Sequence, residues 1–363
     1  MRVLFVAPQL SVGGLERQWS QLIPGLVERG AEAHLVTLDG EGHFFHELKS
    51  QGIPAECLDL HGRLNLAGAY RAAGALASRR PAVVLSAGVS AHVVGQLTGF
   101  RARCAHVAAI HAIPEHPDTF TRRRRLIVRL LSRHVSASTA VTTAQLPFLR
   151  SLGFRSATTF VIPNGLAATE PLRSRAVNRA ALGLDDQQFV ALLVATLRPE
   201  KRADLFVEAV VAANHADTPV RGLVAGGGSG LEHVEWLCAN TNGVVRALGP
   251  RKDVPDLIEA SDVVCLTSDA EALPMAVLEA MAAGRTVVAT DVGGVRDAVV
   301  DGETGFLIPR GDSARLAATL RRLAADSPLR ESLGRAGRER HRVCFTLDRM
   351  VDAHYELLQR VGG

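Results

Sequence analysis

Residues 263–289, VVCLTSDAEALPMAVLEAMAAGRTVVA, decide the fold. Two short apolar runs, at 263–266 and 286–289, flank a helical stretch at 275–282. Runs of this kind are typical of strands buried on both faces of a parallel sheet. Parallel neighbours need a crossover connection, and the helical stretch between the two runs supplies one. The segment therefore predicts a β–α–β unit.

The same alternation continues along the whole chain. Further strands are predicted at residues 3–6, 33–36, 83–86, 106–110, 140–143 and 160–162, and then at 190–194, 220–225, 244–247 and 305–308. Amphipathic helical patterns separate many of these runs, for example at 15–28, 66–78 and 203–214. Alternation of this kind predicts an α/β protein with two doubly wound parallel sheets of five or six strands each.

The break between the two sheets is predicted just after residues 160–162. Pro163-Asn164-Gly165 favours a turn, and the polar stretch up to Ser174 has no strand pattern. We therefore expect an N-terminal Rossmann-like domain at 1–168 and a C-terminal one at 169–344, with a C-terminal helix within 345–363 packing back on the first. Ligands of doubly wound sheets bind beyond the carboxyl ends of the strands, so we expect the two domains to face each other across a ligand cleft.

Composition limits the class of protein. A chain of 363 residues, 47% hydrophobic and 21% charged, is long enough for two α/β domains. No stretch approaches the roughly 20 apolar residues of a membrane span. The opening MRVLFVAPQL is interpreted as a first strand and not as a signal peptide. Five widely spaced cysteines without a CxxC pair argue against structural zinc and favour a reducing cytoplasm. The net charge of +4 does not by itself indicate a nucleic-acid partner.

Two carboxylates eight residues apart form the densest candidate site. Glu271 precedes the predicted helix at 275–282, and Glu279 lies in its second turn. Pro274 suits the first turn of a helix, and the free N–H groups from Met275 to Val277 favour binding of a phosphate. The alternative is that Glu271 only complements the helix dipole and Glu279 is a surface charge.

A basic turn follows the predicted strand at 190–194. Arg198 and Lys201 in the segment ATLRPEK, residues 195–201, can neutralise a diphosphate without a metal; the alternative is an ordinary solvated turn. Glycine-rich turns at 13–14, 226–230 and 293–294 also follow strands. None of them fits the dinucleotide fingerprint, and no P-loop motif occurs, which argues against dinucleotide oxidoreductases and P-loop NTPases.

A histidine and a basic helix complete the candidates in the first half. His111 comes directly after the predicted strand 106–110, where a ligand would lie; the alternative is a structural histidine. Residues 121–133, TRRRRLIVRLLSR, predict an amphipathic helix that is typical of contact with an anionic membrane, the alternative being a surface helix packed on the sheet. Its basic face contains Arg122, Arg125, Arg129 and Arg133, and its apolar face Leu126, Ile127, Leu130 and Leu131.

Taken together, these motifs resemble the family 4 glycosyltransferases of the GT-B fold, over nearly the whole chain. Glu271 and Glu279 are similar to the E-x7-E element of that family, in the frame SxxEGxPxxxLEAMAxG, with Ala272 in place of the usual glycine. Five further segments match in the expected order: GGLE at 13–16, IPNG at 162–165, VVAT at 287–290, GG at 293–294 and DGETGFL at 301–307.

The resemblance implies retaining transfer of a sugar from a nucleotide-diphosphate donor to a hydroxyl, with no required metal and no cofactor. It implies a front-face mechanism, in which the leaving phosphate helps to deprotonate the acceptor. It assigns contact with the transferred sugar to Glu271 and His111, and charge balance at the diphosphate to Lys201.

The resemblance also assigns the remaining binding residues. Glu279 would hold the donor ribose, the backbone near Met275 and Ala276 would help to bind the diphosphate, and Gly13 with Gly14 would let the first loop approach the ligands. One departure stands out, because Thr196 occupies the position of an arginine that contacts the diphosphate in the family. If the strand continues through Arg198, residues 196 and 198 share a face and Arg198 can substitute.

Three hypotheses follow for the function. The first is a cytoplasmic glycosyltransferase, either free or peripheral at the inner face of the membrane, with a lipid-linked, polysaccharide or small glycoside acceptor. The second is a nucleotide-sugar-binding protein in which Thr196 marks lost catalysis. The third is a nucleotide-sugar epimerase of the same fold.

Overall fold

The computed structural model describes residues 1–11, 13–60, 66–111, 121–215 and 217–363. The chain forms two compact units. Unit 1 contains Met1–Gly165 together with Leu347–Gly363, and unit 2 contains Leu166–Thr346.

Unit 1 is built on a seven-stranded sheet in which all pairings are parallel, with the order β3-β2-β1-β4-β5-β6-β7. Its strands are β1 (Arg2–Ala7), β2 (Glu32–Thr37), β3 (Ala55–Cys57), β4 (Val83–Ala87), β5 (Ala105–Ile110), β6 (Ala137–Ala140) and β7 (Thr159–Val161). Its helices are α1 (Gly14–Glu28), α2 (His43–Ser50), α3 (Leu66–Ala77), α4 (Val89–Ala102), α5 (Arg122–Leu131), α6 (Leu146–Ser151) and α15 (Leu347–Gly362).

The two faces of this sheet are covered by different helices. Side chains alternate along a strand, so Phe5 of β1 joins the core beneath α1, α2 and α15, whereas Leu4 joins the core beneath α3, α4 and α5. Helix α15 returns to unit 1 from the far end of the chain. Val351 packs at Gly25 of α1, and Arg29 donates to the carboxylates of Asp348 and Asp352.

Unit 2 contains a six-stranded parallel sheet in the order β10-β9-β8-β11-β12-β13. Its strands are β8 (Phe189–Val194), β9 (Val220–Ala225), β10 (Val245–Gly249), β11 (Val263–Leu266), β12 (Thr286–Thr290) and β13 (Gly305–Ile308). Its helices are α7 (Arg175–Ala181), α8 (Ala203–Ala213), α9 (Leu231–Ala239), α10 (Val254–Ala260), α11 (Met275–Ala282), α12 (Val295–Ala298), α13 (Ser313–Ala325) and α14 (Ser327–Cys344). The parallel β–α–β organisation predicted from the sequence is confirmed in both units.

Two predicted details of unit 1 are wrong. The strand expected at 140–143 lies earlier, at β6, because Thr142 and Gln145 form a capping box that turns residues 143–145 into a 3-10 helix. The sheet has seven strands and not five or six, since the three-residue β3 joins its edge.

The prediction that Leu126, Ile127, Leu130 and Leu131 form one apolar face of the basic helix is also wrong in part. Ile127, Val128 and Leu131 of α5 turn inward and pack on the rest of unit 1. Leu126 and Leu130 are each 60% exposed. Across the described residues, none of the helices has the length and apolarity needed to cross a bilayer.

Candidate active site

The candidate site of unit 2 lies where β8 and β11 end. These strands are parallel neighbours in register, with Leu193 opposite Cys265. Their carboxyl ends therefore meet at one edge of the sheet, and the loops that follow them leave side by side. Ligands of doubly wound sheets bind at this edge.

An ion pair joins the two loops at this edge. The Nζ of Lys201 donates to Oε1 of Glu271 at 2.6 Å, and the hydroxyl of Ser268 donates to the same oxygen at 2.6 Å. The Glu271 side chain is 8% exposed and that of Lys201 is 20% exposed. Removal of a carboxylate from water is unfavourable. The hydrogen bonds from the Lys201 ammonium and the Ser268 hydroxyl to one oxygen of Glu271 offset that cost.

Backbone and hydroxyl contacts hold the two loops against each other. The Thr267 hydroxyl donates to the carbonyl of Lys201 at 3.0 Å or of Arg202 at 2.9 Å. The Asp269 N–H donates to the Glu200 carbonyl at 2.7 Å. From the next strand, the Thr290 hydroxyl donates to the Ser268 carbonyl at 2.6 Å. The ion pair is thus fixed by the backbone of both loops.

A second cluster of charges surrounds Asp269. Its carboxylate accepts from Nε of Arg310 at 2.8 Å and from a guanidinium nitrogen of Arg202 at 3.5 Å. Arg202 also donates to Asp204, and this hydrogen bond raises the pKa of Arg202. Because Arg202 adopts φ of +49°, the first turn of α8 begins from a left-handed residue. The sequence patterns do not single out Ser268 or Asp269 as site residues, although TSD at residues 267–269, directly after a buried strand, is a usable signal.

Helix α11 begins directly after this loop. It spans Met275–Ala282, as the sequence predicts, with Pro274 as the residue before its first turn. The Val277 N–H donates to the Pro274 carbonyl at 3.2 Å, so the prediction that it would be available to a ligand is wrong. Met275, Ala276 and Glu279 are partly exposed, with Glu279 one turn further along the helix.

The segment after β8 places Thr196 and Arg198 on one side. Both are exposed, whereas Leu197 between them is 2% exposed. The strand itself ends at Val194, but the backbone goes on pairing: the Leu197 N–H donates to the Gly227 carbonyl at 2.8 Å. The alternation expected for a continued strand is therefore present through Arg198.

Glycines allow close backbone approach at this edge. A Cβ on Gly226 would lie 1.8 Å from the Ala195 carbonyl oxygen, and one on Gly293 would lie 1.8 Å from that of Glu271. Gly293 also has φ of +50°, a conformation that favours glycine. These glycines pack loops against the segments that contain the candidate residues.

The candidates of unit 1 also lie at the carboxyl edge of their sheet. Gly13 precedes α1 in an extended conformation, with the carboxylate of Glu16 against its backbone, and Gly14 opens the helix. His111 directly follows β5 and is partly buried. Desolvation lowers its pKa to about 3, with smaller contributions from His354 and His92, so His111 is neutral near pH 7.

The structure thus groups the predicted residues into two sets. In unit 2, Lys201 and Glu271 are in direct contact, and the segments containing Thr196, Arg198, Met275, Ala276 and Glu279 follow the two strands that carry the pair. In unit 1, Gly13, Gly14 and His111 follow β1 and β5, which flank β4.

Known proteins share both the fold and the sequence pattern. The family model "Glycosyltransferase Family 4" matches residues 12–170, and the model "Glycosyl transferases group 1" matches residues 174–340. Alr3699/HepE of Anabaena, solved in complex with UDP and glucose, superposes with a TM-score of 0.86 at 24% identity, over 99% of this chain and 100% of that one. Sucrose-phosphate synthase of Thermosynechococcus elongatus superposes with a TM-score of 0.81 at 20% identity, over 99% of this chain and 98% of that one.

The curated relatives match about half of the chain, at higher sequence identity than the solved structures. The D-inositol 3-phosphate glycosyltransferase of Salinispora arenicola is 36% identical over 204 residues, which is 53% of this chain and 45% of that protein. The enzyme of the same name from Streptomyces avermitilis is 35% identical over 196 residues, 50% of this chain and 42% of that protein. The matched region thus spans less than half of the length of these relatives.

Two parallel-sheet units with this superposition define a protein of the GT-B fold, as the sequence predicted. The two family models between them account for most of both units. The chain belongs to the family 4, group 1 glycosyltransferases.

Proposed function

We propose that this chain transfers a sugar from a nucleotide-diphosphate sugar to an acceptor hydroxyl, with retention of anomeric configuration and without a metal or other cofactor. The observation that carries the proposal is the contact of Lys201 with Glu271, at 2.6 Å, where β8 and β11 end. It places a fixed cation and a nearly enclosed carboxylate beside the start of α11. That HepE is solved with UDP and glucose supports a nucleotide-sugar donor.

In the proposed reaction the bond between the anomeric carbon and the diphosphate oxygen breaks. Negative charge grows on the leaving diphosphate, where Lys201, Arg198 and the N–H groups at the start of α11 stabilise it. The acceptor oxygen bonds to the anomeric carbon on the same face of the sugar, and its proton passes to an oxygen of the leaving phosphate. This route needs no protein nucleophile, unlike that of two-carboxylate retaining glycosidases.

The remaining roles follow the same scheme. Glu279 binds the ribose hydroxyls, one helical turn beyond the diphosphate, and Glu271 meets hydroxyls of the transferred sugar. His111 also contacts that sugar, and its lowered pKa keeps it a neutral hydrogen-bonding group. Gly13 and Gly14 let the loop before α1 approach the diphosphate and the acceptor.

The proposed acceptor is a hydroxyl group of a lipid-linked sugar, a polysaccharide or a small glycoside. The name of the curated relatives specifies D-inositol 3-phosphate, which supports a small hydroxylated acceptor as one member of that class. We place the reaction at the cytoplasmic face of the membrane, because α5 combines exposed arginines with exposed leucines.

A thermal-shift panel tests the donor site. UDP, GDP, ADP, TDP and CMP are each added with and without EDTA; a ligand at 100 times its Kd stabilises the fold by about 2.7 kcal/mol. We expect one base to raise Tm equally in both conditions. A shift that EDTA abolishes contradicts metal independence, and no shift with any nucleotide contradicts the donor site.

Thr196 supports the alternative of a nucleotide-sugar-binding protein without catalysis, because no guanidinium stands at that position. The exposed Arg198 on the same side supports a replacement for it. Donor turnover separates the two, since a binding protein shows nucleotide affinity and no sugar transfer. An epimerase of the same fold would convert the donor in the absence of any acceptor, and product analysis detects this.

A further inference from the structure

The two helical layers of unit 1 differ sharply in charge. Helices α3, α4 and α5 contain seven arginines and no aspartate or glutamate: Arg71, Arg101, Arg122, Arg123, Arg124, Arg125 and Arg129. On the opposite face of the same sheet, α1, α2 and α15 contain six carboxylates and four basic residues. Among the described side chains, the outer surface of α3, α4 and α5, here called the basic face, therefore carries only positive charge on a protein of net charge +4.

The basic face also exposes large apolar side chains. Leu126 and Leu130 lie one turn apart on α5 and are each 60% exposed. Phe100 of α4 is 82% exposed and Tyr70 of α3 is 57% exposed. The Arg101 guanidinium lies 4.3 Å from the Tyr70 ring centroid, which joins the aromatic group to the positive charge.

Packing explains why these side chains point outward. The inner side of α5 is occupied by Ile127, Val128 and Leu131, which contact the core of unit 1. At about 100° per residue, Leu126 and Leu130 then lie on the outward side, next to a stripe formed by Arg122, Arg125 and Arg129. Helix α5 thus lies flat on the unit and presents arginines and leucines together.

We infer that the basic face binds an anionic lipid bilayer, with α5 parallel to the membrane plane. Arginines would contact lipid phosphates, and Leu126, Leu130 and Phe100 would enter the boundary between headgroups and acyl chains. A nucleic acid would satisfy the charge but would gain little from a pair of exposed leucines. The inference deepens the proposed function and rests on it, since it names the surface that brings the enzyme to a membrane-borne acceptor.

Vesicle sedimentation of the full chain tests the inference. The probes are phosphatidylcholine vesicles with and without 30% phosphatidylglycerol. We expect binding to the anionic vesicles only, weakened by 0.5 M NaCl because salt screens surface charge. The triple variant R122Q/R125Q/R129Q should bind about 100-fold more weakly, at about fivefold per arginine. No binding by the wild-type protein would overturn the inference.

Matched variants separate this surface from general charge and hydrophobicity. R315Q/R321Q/R335Q removes the same charge from exposed positions of unit 2, and V177Q/V211Q removes two exposed apolar groups there. Both should bind vesicles as the wild-type protein does, whereas L126Q/L130Q should bind more weakly even at low salt. An equal loss of vesicle binding in the control variants would contradict a bilayer contact at this face. So would unchanged vesicle binding by L126Q/L130Q together with displacement of the wild-type protein from vesicles by RNA.

A separate readout distinguishes this inference from the proposed function. The nucleotide-induced shift in Tm is measured without vesicles in the wild-type protein and in each variant. All of the changed side chains are exposed, so the variants should keep their Tm and their nucleotide shift. A retained shift with no vesicle binding by the wild-type protein overturns only the membrane contact; an absent shift contradicts the donor site instead.

Discussion

Glu271 accepts two short hydrogen bonds on one carboxylate oxygen and is almost enclosed. We predict that Glu271→Gln lowers sugar transfer by about 100-fold or more, because a preorganised charged group at the proposed reacting centre is lost. Nucleotide affinity should change less than threefold, roughly within the spread of a neutral substitution. Turnover with radiolabelled donor and nucleotide titration measure the two effects, and unchanged turnover would contradict the role.

Glu279 is predicted to act on binding instead of on turnover. Glu279→Ala should weaken nucleotide affinity by about 10-fold or more, the loss expected for a charged hydrogen bond. Glu331→Ala, at an exposed position on α14, is the matched control. Isothermal titration with the nucleotide that gives the thermal shift measures both. Equal affinities of Glu279→Ala and the wild-type protein would remove the ribose assignment.

Arg198 and Thr196 allow a test of compensation within one segment. Arg198→Gln should weaken nucleotide-diphosphate binding, since Arg198 replaces the missing guanidinium in our proposal. Thr196→Arg in the same chain should restore it, because the two side chains share the exposed side of residues 195–198. The comparison uses the diphosphate and the nucleoside in parallel titrations. A double variant that binds no better than Arg198→Gln alone would contradict the exchange.

At this scale the sequence identifies which residue types follow which strands, but not their partners. Lys201 and Glu271 are predicted separately, and their contact depends on the packing of two loops 70 positions apart. Ser268 and Asp269 show the same limit. A serine or aspartate after a strand is common, and only the geometry reveals that one supports Glu271 and the other holds Arg310.

The loop after β12 supports the candidate site from the next strand. Gly293 has φ of +50°, and a Cβ there would meet the Glu271 carbonyl oxygen at 1.8 Å. Gly293→Ala should therefore displace the Glu271 loop and lower both stability and sugar transfer. Gly302→Ala is the control, with φ of +75° and open space around its Cβ. It should lose stability by about 1 kcal/mol from backbone strain alone and keep its activity. Equal activities of the two variants would contradict the prediction.

Elements are predicted well where periodicity is strong and poorly where a turn interrupts a β-like composition. Helix α11 begins and ends where the pattern places it. The strand predicted at 140–143 fails because Val141 and Thr142 suit a strand, while the capping box of Thr142 favours a turn. The exposed leucines of α5 could not be predicted, because an amphipathic pattern does not specify how much of its apolar arc the neighbours cover.

Over the whole molecule, buried histidines are concentrated in unit 1. The His106 Nδ1–H donates to the Gln96 amide oxygen at 2.8 Å, so its Nε2 accepts from the Ser86 hydroxyl at 2.7 Å. Ser86 then accepts from Nδ1–H of His92 at 2.8 Å. Burial lowers the pKa of His92 to about 4 and of His106 to about 3, and it lowers that of His354 to about 4. All three histidines are neutral in the folded protein at pH 7.

Acid should therefore destabilise unit 1. Below pH 6.5 these histidines become protonated in the unfolded chain but stay neutral in the folded protein. The free energy of unfolding therefore falls as pH decreases toward 4. Relative to pH 7, each of these buried histidines lowers the free energy of unfolding at pH 5 by about 2 kcal/mol. In a Trp236→Phe background the buried Trp19 reports on unit 1 by fluorescence.

The slope of the unfolding free energy against pH tests the role of these histidines, because a general loss of stability would not change that slope. His354→Gln should flatten the dependence of unfolding free energy on pH between 6.5 and 4.5, whatever its effect at pH 7. His233→Gln, at an exposed position in unit 2, is the control. A stability of unit 1 that is the same at pH 7 and pH 5 would show that these histidines do not titrate as proposed.

Helix α15 gives unit 1 a discontinuous chain, with all of unit 2 inserted between Gly165 and Leu347. A ribosome that makes this protein synthesises all of unit 2 before the segment that packs on α1. Until then, the surface of α1 at Gly25, which Val351 later covers, is exposed to water and to chaperones. During synthesis, residues 1–165 therefore lack one of the helices that cover their sheet until the whole of unit 2 has been made.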